Sequence, residues 1–387
     1  MSDVFMHTYH RLPMTFTQGQ GAWLTDTAGK RYLDFTAGIA VNCLGHGHPK
    51  VVQALADQAA RLIHVSNYYQ SDVSRAFAEQ LVRACAPVGL QRVFLANSGA
   101  EANEGACKIA RKYSLKKYGP GRHSIVTLKG SFHGRTITTL SATGQDKFHQ
   151  DFGPFTEGFR FVPPGDLNAL EQGLDKTITA GFLLEAVQGE SGILPQKDEY
   201  IRRAAELCAD RDILLMFDEI QCGLGRTGTF LACEAYGVKP DLVTLAKGLS
   251  AGVPVGAVLA GEKTAEVFEA GDHGSTFGGN PLAAAAGLAV LEIVNNPEFL
   301  AAIVRKGQRI QDTLKAWHHP KIKAVRGRGL MIGVDITTEA WNILEAAAAQ
   351  GLLILSAGAH TLRFLPPYII TDEEIDLGLE LLKKVLD

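Results

Sequence analysis

Cysteine is scarce in this chain and follows no pattern. The 387 residues hold six, at 43, 85, 107, 208, 222 and 233, with no C-x-x-C spacing. Thiols so scattered read as reduced cysteines of a cytoplasmic protein, each a small buried hydrophobe. Long apolar runs are also lacking. The richest, Ala283–Val294, is short and broken by Glu292, so no membrane span is expected. The opening stretch, Met1 to His7, has neither a basic nor an apolar region, so no leader is expected. Nor is there an excess of charge of one sign. Lys and Arg number 38 and Asp and Glu 41, for a net charge of -3. That argues against a nucleic-acid partner bound by bulk charge and against a polybasic membrane anchor. No internal repeat and no low-complexity linker interrupt the chain.

What is present is apolar material in regular portions. Hydrophobic residues make up 46% and charged ones 20%, enough for a large core in two or three domains. Short apolar runs at Arg92–Ala96, Ser124–Leu128, Gly181–Val187, Ile213–Phe217, Leu242–Leu245 and Val255–Ala260 predict strands. Helical patterns lie between them, such as Ala100–Tyr118 and Glu199–Asp210. Near-continuous apolar strands alternating with helices imply an α/β fold with a mostly parallel sheet between helices. From about Pro281 a long helical stretch runs to Trp317. Short strand-like pieces follow at Ala324–Val325, Met331–Asp335, Leu352–Leu355 and Thr361–Phe364. Thr371-Asp372-Glu373-Glu374 then starts a last helix. The expected division is a large α/β domain over 48–280 and a smaller α+β domain. The smaller one comprises 281–387 and an N-terminal segment, 1–47, with a hairpin of Trp23–Asp26 and Arg31–Phe35.

Two strand ends carry the chemistry. Asp218-Glu219-Ile220-Gln221 follows the run Ile213–Phe217, and Lys247-Gly248 follows Leu242–Leu245. Ligands of α/β sheets bind outside the carboxyl ends of strands. An acid and a lysine there suit pyridoxal 5'-phosphate (PLP). The lysine amine forms a Schiff base with the cofactor aldehyde, and the acid keeps the pyridine nitrogen protonated. Most lysines are solvated, but the apolar run before Lys247 argues against a surface position. A carboxylate at 218 would be costly without a cationic partner.

Further motifs gain meaning beside that pair. Ser98-Gly99-Ala100-Glu101 fits an S-x-x-E capping box opening a helix after a strand, which is a phosphate site or an ordinary cap. Phe132 can stack on a ring, and Arg135 offers a fork to a carboxylate. Ser275 and Thr276 lie among glycines, as in an anion contact or a plain turn. Three patterns are discounted. Gly223-Leu224-Gly225-Arg226-Thr227-Gly228 matches G-x-G-x-x-G but does not sit between strand and helix, and no acid follows at the right distance. His46-Gly47-His48-Pro49 reads as a turn, with no ligand cluster to support a metal. Lys112–Lys117 reads as a solvated helix face.

Together these motifs resemble the class III PLP-dependent aminotransferases, of fold type I. The similarity spans almost the whole chain, from Trp23-Leu24-Thr25-Asp26 onward, and the 218–248 block is its most specific part. Within the family, Gly38-Ile39-Ala40-Val41-Asn42, His64-Val65-Ser66-Asn67 and Phe132-His133-Gly134-Arg135-Thr136 are most similar to the branch acting on N2-acetylornithine in arginine biosynthesis. The resemblance implies a cytoplasmic homodimer with shared active sites. Lys247 would hold the cofactor and shuttle a proton, and Asp218 would pair with the ring nitrogen. Glu219, Ile220 and Gln221 would border the ring, with Gln221 near its hydroxyl. Ser98, Gly99 and Ala100 would hold the phosphate, with Thr276 reaching it across the dimer, and Phe132 would stack on the ring. Arg135 and Ser275 would take the donor's carboxylate. Arg363 would grip the α-carboxylate of glutamate or 2-oxoglutarate, with Glu190 covering it in the other half-reaction. N-succinyldiaminopimelate, succinylornithine, ornithine and 4-aminobutyrate remain alternative donors on the same scaffold. Two positions depart from the family. Glu185-Ala186 stands where Glu-Pro is usual, and Gln70 falls near a tyrosine of the ornithine enzymes, which disfavours plain ornithine.

Overall fold

The computed structural model describes residues 4–387. Met1, Ser2 and Asp3, part of the stretch read for a leader, lie outside the described residues.

A seven-stranded sheet organises the centre. Its order is Leu90–Ala96, Gly256–Gly261, Leu242–Leu245, Leu214–Asp218, Thr179–Leu184, Ser124–Leu128 and Phe159–Val162. Only Gly256–Gly261 runs antiparallel to its neighbours. The inner strands are buried along their whole length, as their unbroken apolar sequences require. The helix Gly99–Tyr118 packs across several of these strands. Asp218 ends its strand opposite Thr244 of the next, three residues before Lys247. The register therefore brings the acid and the lysine to one edge of the sheet.

Two expectations need correction. The run Gly181–Val187 is not one strand. It stops at Leu184, and Val187–Gln188 pairs instead with Leu194–Pro195 in a separate two-stranded ribbon. Glu185 makes the break, because its buried carboxylate accepts a hydrogen bond from Phe132 N at 3.0 Å. The long helical stretch is also two helices, Pro281–Val294 and Pro297–Ala316, bent by 75°. Asn296 caps the second through Glu298 N and Phe299 N, and Pro297 occupies its first turn, where a missing N–H costs nothing. The edge strand Phe159–Val162 escaped the sequence reading. Among the described residues no single helix is long and apolar enough to cross a membrane.

The C-terminal part forms an antiparallel sheet of Ile322–Arg328, Met331–Ile336, Thr361–Phe364 and Leu355–Ser356. The N-terminal strands Phe16–Gln20, Trp23–Asp26 and Arg31–Asp34 form another sheet, joined by Leu352–Leu353 through the parallel pairing of Leu352 with Leu33. The last helix, Asp372–Leu386, has its Thr371–Glu374 capping box, and Glu374 also accepts from Trp23 Nε1 at 2.7 Å. The discounted motifs have structural work. Arg226, inside the glycine-rich loop, is fully buried and donates to Leu330 O and Pro366 O, clasping the loop to the C-terminal part. His46 Nε2 lies 2.8 Å from Asp34.

Candidate active site

A cavity of about 360 Å³ opens at that sheet edge. Asp218, Ile220, Gln221, Lys247, Ser98, Gly99, Ala100, Phe132 and Arg135 all line it. Thus nine of the positions singled out in the sequence meet in one place.

Lys247 follows its strand in a left-handed backbone conformation, φ 40°. For a side chain with a Cβ this conformation costs on the order of 1–3 kcal/mol and clusters at functional sites. Burial pushes its amine below the ordinary value, while Glu190 and Asp218 pull it upward. A lysine held this way gives up its proton more readily and so is a better nucleophile.

Asp218 is fixed by residues from three other segments. Its Oδ2 accepts from Asn103 Nδ2 at 2.8 Å and lies 2.8 Å from His133 Nδ1. Asn103 in turn accepts from Thr244 Oγ1 at 2.8 Å and donates to His133 O. Oδ1 meets Ile220 N at 3.1 Å. Among the described residues His133 is the side chain paired with this carboxylate that can carry positive charge, and a positively charged ring nitrogen in the cavity would complete its surroundings.

Opposite, the helix Gly99–Tyr118 begins at the cavity wall. Ser98 Oγ accepts from Glu101 N, which leaves the Gly99 and Ala100 amides as first-turn donors for an anion. The capping box is incomplete, since Glu101 reaches past Ser98 to Asn97 N at 2.6 Å. Gly99 is required by closeness: a Cβ there would lie 2.7 Å from Ile220 Cδ1.

Glu219 is the clear misplacement. Neighbouring side chains of an extended segment point to opposite sides. Its carboxylate therefore turns away from the cavity and accepts from Ala232 N at 2.5 Å and Cys233 N at 2.8 Å. Burial raises it to about 7 against the pull of those amides. Ser275 and Thr276 are also absent from the lining of this cavity. They line a neighbouring hollow with Asn97, Glu101 and His273. The Ser275 hydroxyl is engaged by Asn97 Nδ2 at 3.0 Å and Gly278 N at 2.9 Å. Arg363 is buried, and its Nη1 donates to Glu190 Oε1 at 2.5 Å. Burial raises Glu190, but Arg363 outweighs it and leaves the carboxyl below its ordinary value. Gln221 Nε2 reaches the same Glu190 oxygen at 3.4 Å, joining the pair to the cavity wall.

Sequence reasoning gave no role to Asn103, His133 or Glu185. Glu185 is raised to about 7, first by burial, with His133 lowering and Asp218 raising it. A histidine inside the 132–136 motif and an acid at a strand end were the available signals.

Comparison with known proteins agrees with this geometry. The aminotransferase class-III family profile matches residues 4–386. The acetylornithine aminotransferase of Caldanaerobacter subterraneus subsp. tengcongensis is 47% identical, covering 98% of this chain and 96% of that one. That of Haemophilus ducreyi is 46% identical, covering 100% and 97%. Among solved structures, ornithine aminotransferase from Toxoplasma gondii ME49 superposes with a TM-score of 0.94 at 36% identity, covering 99% of this chain and 92% of that chain. N-acetylornithine aminotransferase from Stenotrophomonas maltophilia K279a gives 0.85 at 40% identity, covering 98% and 96%.

The residues present fit pyridoxal phosphate, the cofactor of that family. First-turn amides stand at one wall, a fixed carboxylate at another, and an amine of lowered basicity between strand and loop. Gln221 Oε1 is buried without a hydrogen-bond partner. When bound, the cofactor supplies an aldehyde for amines and a ring that draws electrons from the substrate's C–H bond.

Proposed function

Because the chain belongs to the class-III aminotransferases and is a pyridoxal-phosphate enzyme of fold type I, we propose that it moves the terminal amine of N2-acetyl-L-ornithine to 2-oxoglutarate in arginine biosynthesis. The observation that carries this reading is a pair of arginines in opposite states. Arg363 is neutralised by Glu190, whereas Arg135 lines the cavity with no hydrogen bond or ion pair among the described residues. A donor that reacts at its terminal amine has only methylenes beside the reacting carbon. An unpaired Arg363 would face them at a desolvation cost. Glu190 removes that cost, and Arg135 is left for the carboxylate at the donor's far end. Glutamate or 2-oxoglutarate brings a carboxylate beside the reacting carbon, and Glu190 then yields Arg363 to it.

In this reading Lys247 holds the cofactor and moves a proton at the reacting carbon. Asp218 keeps a proton on the ring nitrogen. Ser98, Gly99 and Ala100 bind the phosphate, Phe132 covers the ring, and Ile220 and Gln221 border it. The enzyme works as a cytoplasmic homodimer in which the partner's Thr276 reaches the phosphate. Thr276 lines a neighbouring hollow and not the cavity of its own chain, which leaves it available to a partner subunit. The division into a domain over 48–280 and a smaller one of 1–47 with 281–387 is part of the same proposal, supported by the pairing of Leu352 with Leu33.

The test is the half-reaction of the PLP-loaded protein with N2-acetylornithine, N-succinyldiaminopimelate, succinylornithine, ornithine and 4-aminobutyrate, each without keto acid. The loss of the cofactor's absorption band is followed in time. Acetylornithine is expected to react fastest and ornithine much more slowly. A preference for ornithine, the substrate named for the Toxoplasma structure, would reverse the donor assignment.

A further inference from the structure

We infer that Phe148 is a positioning residue that sets donor specificity, by holding Arg135 ready for the carboxylate at the donor's far end. The inference rests on the donor reading above. Arg135 Cζ stands 4.1 Å from the centroid of the Phe148 ring and 5.5 Å from that of Phe132. The two rings meet edge to face, with centroids 5.9 Å apart and planes at 74°. Arg135 is exposed and has no hydrogen bond or ion pair among the described residues, so these ring contacts are what holds its guanidinium. Contact through ring faces leaves the N–H groups of the fork unspent, which is the state a carboxylate needs.

A long side chain that freezes on binding loses rotamer freedom, and one already resting on a ring has less to lose. Phe148 is well placed for this. It ends the short helical turn Asp146–Phe148, and the next residue, His149, places Nε2 2.8 Å from Leu140 O. Lys147 Nζ lies 4.7 Å from the same ring centroid, and it too has no carboxylate partner among the described residues. Two cations on one phenyl ring make this region, beside the cavity that Arg135 lines, electropositive and suited to an anion. Phe132 alone leaves Arg135 at the longer distance, with only one neighbouring ring.

The test uses PLP-loaded protein and N-acetyl-L-norvaline, which keeps the donor's carboxylate and acetamide but lacks the reacting amine. Calorimetry gives its Kd. Phe148→Leu, which removes the ring face, is expected to weaken binding about tenfold, and Phe148→Tyr, which keeps it, to stay within about twofold of the parent. In turnover, Phe148→Leu should raise KM for N2-acetylornithine with kcat nearly constant. The single-turnover rate with L-alanine, which has no distal carboxylate, should not change. Unchanged N-acetylnorvaline binding in Phe148→Leu, or equal losses in the leucine and tyrosine variants, would overturn the inference. Arg135→Gln separates it from the donor reading. If that variant binds the probe like the parent, both fall; if it loses binding while Phe148→Leu does not, the inference falls alone.

Discussion

Glu219 follows the cavity's acid in sequence and is wholly buried, and among the described residues no cation pairs with it. Its carboxyl is raised from an ordinary 4.5 to about 7, first by burial. The folded protein therefore holds a proton there that the unfolded chain releases between those values. Stability from this group is full below about pH 4.5 and is lost as pH rises toward 7. Glu219→Gln has nothing to ionise at this site. Melting curves from pH 5 to 8 should fall less steeply with pH for the variant than for the parent, even if the variant melts lower throughout. Parallel curves would mean that Glu219 is already charged in the folded state. The identities of Asp218 and Lys247 were legible because few roles other than cofactor chemistry suit an acid and a lysine at neighbouring strand ends. The direction of Glu219 was not, because pleating beyond the strand end decides it.

At the scale of elements, the antiparallel strand Gly256–Gly261 presses against the loop that starts the helix Gly99–Tyr118. A Cβ on Gly256 would come within 2.2 Å of Ser98 O and 2.8 Å of Ser98 C, both backbone atoms. Gly256→Ala must displace the cap, and overpacking of this kind costs about 1–3 kcal/mol. The expected outcome is a lower melting temperature together with a PLP affinity reduced by about tenfold or more, read from an absorbance titration. Intact cofactor affinity would show that the Gly99 and Ala100 amides can follow the cap without loss. Apolar runs marked the inner strands well, since burial on both faces leaves little choice of residue. Phe159–Val162 was missed because, at the sheet edge, three of its four residues are only partly buried. The 75° bend was missed because the apolar pattern continues across Asn295 and Asn296, although Pro297 and the Asn296 cap mark a new start.

For the whole molecule, a homodimer with shared active sites, as proposed, would have a sharp consequence when variants are mixed. Lys247→Ala disables a chain's own cavity. Thr276→Glu would place a charge against the phosphate of the partner subunit. Each variant alone should be nearly inactive. Unfolded together and reassembled, half of the dimers are mixed, and each mixed dimer has one intact site, so roughly a quarter of parental activity should return. No recovery would mean that Thr276 serves its own chain. The hydrogen-bonded group of Thr244, Asn103, His133 and Asp218 draws on four stretches that are far apart in sequence. None of these stretches can orient the acid by itself, so a newly made polypeptide gains its grip on the vitamin-derived ligand only after the sheet has closed. Binding then favours that finished form over every unfinished one by mass action. In a cell short of vitamin B6, this protein would be expected to lose abundance as well as activity, because its unliganded copies spend longer open to proteolysis.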